Sequence, residues 1–134
     1  MKKRFLFVTL LLFVASFMMI SLNTTPVAYA KSSDTVISLK GSAKFPAAKG
    51  KAKFRDRGGE KEFQVEVENV KIAAGTKLNV FVGGKKVGTM KINQFGAGRL
   101  NLNSTRGDKV PAVSSGTKVQ VKTGADVVVA AGSF

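Results

Sequence analysis

The chain has 134 residues and a net charge of +14, from 22 Lys+Arg against 8 Asp+Glu, and it contains no Cys, His or Trp. One small domain fits that length. Without Cys or His there is no thiol nucleophile, no Ser-His-Asp triad, no zinc site of those residues, no disulfide framework and no haem ligation through them.

In chain order, the first feature is a targeting segment. Lys2, Lys3 and Arg4 precede an apolar stretch at 5–20, then polar residues and the small-residue site Ala28-Tyr29-Ala30. That succession predicts a secretory signal peptide over 1–30, cleaved after Ala30. The other reading, an uncleaved anchor, has a stretch of only sixteen residues where a spanning helix needs about 20. No Cys follows the run to carry a lipid. The expectation is an exported protein, periplasmic or extracellular, with a single domain at 31–134. Without Lys2, Lys3 and Arg4, 19 Lys+Arg stand against 8 Asp+Glu, a net of +11. Lacking disulfides, that domain depends on a core that at this length hides roughly 60 to 70% of the unfolded chain's surface.

After the polar residues 31–34, alternation with period two predicts strands at 36–45, 51–57, 62–70, 76–82, 86–92, 99–103, 117–122 and 126–134. In the clearest run Phe63, Val65 and Val67 alternate with Glu62, Gln64, Glu66 and Glu68. The last run, DVVVAAGSF, is apolar on both faces and reads as a covered central strand. About eight strands joined by tight turns predict an all-β fold, an antiparallel β-sandwich or a small barrel, of which the sandwich is the expectation carried forward. The chain also repeats itself. AGTKLNV (74–80) aligns with SGTKVQV (115–121) at an offset of 41, with Gly83 falling on Gly124. A duplicated strand-hairpin unit, packed as two pseudo-symmetric sheets, accounts for this; so does the simple suitability of Gly-Thr-Lys for a turn entering a strand.

The most basic stretch, KGKAKFRDR at 49–57, resolves by strand geometry. If Gly58-Gly59 is a two-residue turn, Arg57 faces Glu60, and counting back sets Arg55 against Glu62, Lys53 against Gln64, Lys51 against Glu66 and Lys49 against Glu68. The other face opposes Phe54 to Phe63 and Ala52 to Val65. Each such pair contributes roughly 0.2 to 1 kcal/mol, and a one-residue slip loses both patterns. This run is therefore read as internally neutralised rather than as a binding patch.

The surplus charge lies in 69–134, which hold ten Lys+Arg against Asp108 and Asp126. The alternation sets Lys77, Asn79, Arg99, Asn101, Lys118, Gln120 and Lys122 away from the apolar side. With Lys85 and Lys86 from the Gly83-Gly84 turn, the candidate anion-binding residues are Lys77, Lys85, Lys86, Arg99, Lys118 and Lys122. The same face also serves as a solvated exterior whose charge favours solubility. Sequence-blind nucleic-acid binding adds stacking aromatics. Phe45, Phe54, Phe63 and Phe134 read as internal, leaving only Phe81 and Phe95.

Other motifs carry less. Gly83-Gly84 supplies a hairpin turn, and no helix follows to make it a phosphate loop. Arg106-Gly107-Asp108 spells an adhesion tripeptide, though Gly-Asp suits a turn on its own account. Asn103-Ser104-Thr105 matches a glycosylation sequon. For catalysis, Glu62, Glu66 and Glu68 share one flat face opposite cations, which favours the ionised state and disfavours a general acid. Asp34, Asp108 and Asp126 are isolated near turns, and no loop is rich enough in Asp for a calcium site. No catalytic, cofactor-binding or metal-ligating residue is expected.

The succession GSAKF (41–45), EFQVEVENV (62–70), AGTKLNVFVGGKKVGTM (74–90), LNLNSTRGDKVPAVSSGTKVQV (100–121) and the closing AAGSF resembles a group of small exported bacterial all-β proteins without an assigned activity. The resemblance implies an immunoglobulin-like or related sandwich and carries over no catalytic residue. The functional expectation is a non-enzymatic structural or interaction module of the cell envelope or extracellular space. Its partner would be an envelope protein or an acidic polymer, and weak polyanion binding by the basic face is the alternative reading.

Overall fold

The computed structural model describes residues 33–134; the expected signal peptide lies outside them. Eight strands follow in order: β1 Ser33–Gly41, β2 Lys49–Arg57, β3 Glu60–Glu68, β4 Lys77–Val82, β5 Lys85–Lys91, β6 Gly98–Asn103, β7 Lys118–Lys122 and β8 Val128–Ser133. A single 3-10 turn at Ser104–Arg106 follows β6. All eight expected strands are present, but the first ends at Gly41 rather than at residue 45. Beyond it Phe45 donates its amide to Ser42 O and accepts from Ala48 N, closing turns ahead of β2.

All pairings are antiparallel and form one sheet in the order β5-β4-β7-β8-β1-β2-β3-β6. This differs from the two separate sheets expected. The halves β5-β4-β7-β8 and β1-β2-β3-β6 are stitched by a seam of two residue pairs, Lys40 with Ala131 and Gly41 with Ala130. The sheet wraps until its edge strands meet without a ladder. A Cβ placed on Gly88 of β5 would lie 2.8 Å from Leu100 Cδ2 of β6, and one on Gly98 of β6 would lie 3.0 Å from Met90 Sδ of β5. The result is a nearly closed eight-stranded barrel, a size whose interior side chains can fill. Phe63, Leu39, Leu78, Ile92, Val65, Val67, Val80, Val119, Val121 and Val129 fill it, together with Ala52 and Ala130. Among the described residues, every buried core residue lies between Leu39 and Ala130.

The β2–β3 register is the one expected, rung by rung, from Arg57 opposite Glu60 to Lys49 opposite Glu68. Gly58 and Gly59 both have positive φ, as the tight right-twisting hairpin turn demands. The two copies of the repeat lie side by side. β4 pairs with β7 such that Val80 faces Val121, its own counterpart. Each copy continues into a hairpin, β4–β5 and β7–β8, and the ladders shift register at equivalent places, between Val80 and Phe81 and between Val121 and Lys122. The second shift explains the apolar run in β8. Ala130 pairs with Val121 and Val128 with Lys122, so Val129 and Ala130 are both buried in succession. A bulge, rather than a covering layer, removes the alternation there.

Candidate functional site

Pairing assigns most charges of the first half to partners within it. Arg55 bridges Asp34 at 3.1 Å and Glu62 at 3.7 Å, Arg57 reaches Asp34 at 3.8 Å, and Lys49 reaches Glu68 at 3.5 Å. Glu66 pairs with Arg99 of β6 at 3.4 Å rather than with Lys51 opposite it, and Gln64 Nε2 donates to the same carboxylate. Arg99 therefore leaves the expected basic face: it sits on the far half, engaged with a carboxylate. The Arg106-Gly107-Asp108 tripeptide is likewise closed on itself. Arg106 Nη2 lies 3.3 Å from Asp108 Oδ2 and donates to Asn101 O, while Asp108 accepts from Asn103 N.

The other half presents an outer face with little compensation. One rung runs Lys86–Phe81–Gln120–Ala131–Lys40, the next Thr89–Asn79–Lys122–Val128, and beyond it Lys77 faces Lys91. Lys118 lies on the same face opposite Ser133. Thus four of the six expected residues, Lys77, Lys86, Lys118 and Lys122, are brought together. Lys85 is not, because it opposes Val82, whose side chain points into the core. Lys40 and Lys91 are members that strand-by-strand alternation missed.

Within the face, Lys122 Nζ lies 4.8 Å over the Phe81 ring and 3.3 Å from Asp126. Phe81 is thus half-buried beneath a cation and is not a free stacking platform. Strands β4, β5, β7 and β8 hold six Lys and no carboxylate, whereas β1, β2, β3 and β6 hold eight cations and six carboxylates. Lys77 and Lys91, both exposed, stand directly opposite, an arrangement of like charges that destabilises a ladder. Such a face concentrates anions.

A groove of about 840 Å³ continues around the barrel from Lys91 and Asn93 to Arg99, Lys51 and Lys49, with Glu66 and Glu68 among its walls. No family model matches the chain, and no curated protein matches it either.

Proposed function

We propose that this chain is an exported, non-enzymatic interaction module that holds an anionic polymer on the outer face of β5-β4-β7. The observation that carries this reading is the segregation of charge: one half of the barrel sets six carboxylates among its eight cations, while the other opposes Lys77 to Lys91 with no carboxylate in any of its four strands. A polyanion would relieve that repulsion and release its own counterions. The resemblance to small exported immunoglobulin-like bacterial proteins and the signal-peptide pattern support the location. Matched ladder shifts in the two hairpins support an origin by duplication.

Heparin chromatography of residues 31–134 tests it. Retention well above physiological salt is expected, falling when Lys86 and Lys118 are both changed to Glu and changing little when Lys51 and Lys53 are. Elution at or below physiological salt, or equal losses from the two double variants, would overturn the reading.

A further inference from the structure

Beyond the outer face, the end of the barrel formed by the 42–48, 69–76, 92–97 and 123–127 loops has its own character. Register places these loops together, since they follow the last rungs of β1, β3, β5 and β7. Two of them are directly bonded: Val70 N donates to Gly96 O and Gly75 N donates to Ile92 O. The 92–97 loop carries Phe95, which is 77% exposed, far more than any other described aromatic side chain deserves in a chain that buries Phe63 completely.

The turn is held so that Phe95 cannot fold back. Asn93 Oδ1 accepts from both Phe95 N at 2.9 Å and Ala97 N at 3.1 Å. Gly96, at φ 74°, lies so close to Val70 that a Cβ there would sit 2.6 Å from Val70 O. A rigid turn thus presents a bare aromatic ring. The same end of the barrel carries exposed Lys44 and Lys71 in its loops and exposed Lys77 and Lys91 at the adjoining strand ends, with the small apolar residues Ala43, Ala47, Ala73 and Ala74 also exposed in the loops. The four loops contain one carboxylate, Asp126, paired with Lys122, and the adjoining strand ends add Glu68, paired with Lys49.

From this juxtaposition we infer that the loop end docks on an anionic lipid bilayer, with Phe95 entering the headgroup region and the lysines resting on the charged leaflet. An aromatic ring gains at the boundary between headgroups and acyl chains, and Lys stems can lie along apolar surface while their ammonium groups stay wet. Each Lys held close to an anionic leaflet strengthens binding about fivefold. The charge complements a negatively charged surface, and the exposed ring distinguishes a bilayer from a soluble polyanion, which offers it nothing. This inference shares Lys77 and Lys91 with the outer-face reading but is tested apart from it, because Phe95, Lys44 and Lys71 lie in the loops while Lys86 and Lys118 lie toward the opposite, Gly83-Gly84 end.

The test uses the full chain and residues 31–134, the expected mature form, with vesicles of phosphatidylcholine with or without about one third phosphatidylglycerol. Co-sedimentation with the anionic vesicles only is expected. Phe95→Ala should weaken it about tenfold and Lys44→Glu with Lys71→Glu at least as much, with the thermal midpoint of each variant unchanged and the heparin elution of Phe95→Ala unchanged. Since the chain has no Trp, Phe95→Trp introduces a single indole whose emission should shift to the blue on anionic vesicles. Unshifted emission, or equal binding by native protein and Phe95→Ala, would overturn the inference; heparin retention without vesicle binding would overturn it while sparing the outer-face reading.

Discussion

The two halves of the barrel bury the same kind of residue and expose opposite kinds. In β1-β2-β3-β6, carboxylates stand among the cations, so Arg55, Lys49 and Arg99 each find one on the next strand or the one before, although Lys49 also faces Lys40. In β5-β4-β7-β8 the outward positions hold Lys and neutral residues but no carboxylate, and the like-charged Lys77 and Lys91 meet across a ladder. Folding requires only that the inward rows be apolar, and both halves meet that requirement, the first with Leu39, Ala52, Phe63, Val65 and Val67 and the second with Leu78, Val80, Met90, Val119, Val121 and Val129. What the outward rows carry is therefore free to differ: one half completes its electrostatics internally and the other leaves them to be completed from outside.

The largest expected effect concerns how the halves stay joined. Their seam has two residue pairs, after which Gly132 of β8 still lies close against Ser38 and Leu39 but no ladder continues along β1 toward Ser33. Phe134 closes part of that opening. It packs against the core, shares a small cavity of about 360 Å³ with Thr35, Phe54 and Val113, and its amide donates to Thr117 O at 3.0 Å. Because the ring is half-buried rather than fully enclosed, Phe134→Ala should cost about 2 to 3 kcal/mol, less than the 3 to 5 typical of a fully buried Phe. Urea unfolding measures it. A midpoint equal to that of the native protein would mean that the seam holds without its aromatic cover and that the halves are joined by the shared core alone.

How much of this was legible in the sequence follows from which interactions are local. The β2–β3 register could be counted from Gly58-Gly59 because a two-residue turn leaves no freedom in the pairing. Strand number was equally accessible from alternation. Whether β8 meets β1 was not, since two residue pairs between segments about 90 residues apart leave no mark on either pattern. Alternation also failed at the bulge. Strict parity in β5 sets Lys86 with Met90, which is in the core; the shift beside Gly88 resets it, so that Lys86 and Lys91 emerge on one outer face. Arg99 was misplaced for a related reason: its outward direction was correct, but β6 pairs with β3 and so belongs to the neutralised half.

A smaller effect tests the neutralised half. Glu66 accepts from Gln64 and pairs with Arg99 while facing Lys51 across the ladder. Glu66→Lys should destabilise residues 31–134 by about 0.5 to 1.5 kcal/mol, with the pair half-exposed and partly screened. In double-mutant cycles, the coupling of Glu66 to Arg99 should exceed its coupling to Lys51. The reverse ranking would move the compensation from the β3–β6 rung to the β2–β3 rung.

The smallest effect has the opposite sign, and it separates the halves most directly. Lys91→Glu replaces a like-charged rung with an opposed one, so it should stabilise the domain by about 0.3 to 0.8 kcal/mol, seen as a thermal midpoint higher by about 2 to 4 °C. The same change should lower the salt at which heparin releases the protein. A gain in stability together with a loss of binding is what a face under self-repulsion requires, because the charge that weakens the ladder is the charge that attracts the ligand. Lys91→Met separates the two contributions: relief of repulsion alone should give part of the gain, and the attraction to Lys77 the remainder. If Lys91→Glu instead unfolds at a lower temperature, Lys91 is already compensated, and the contrast between a self-sufficient half and an open one loses its energetic basis.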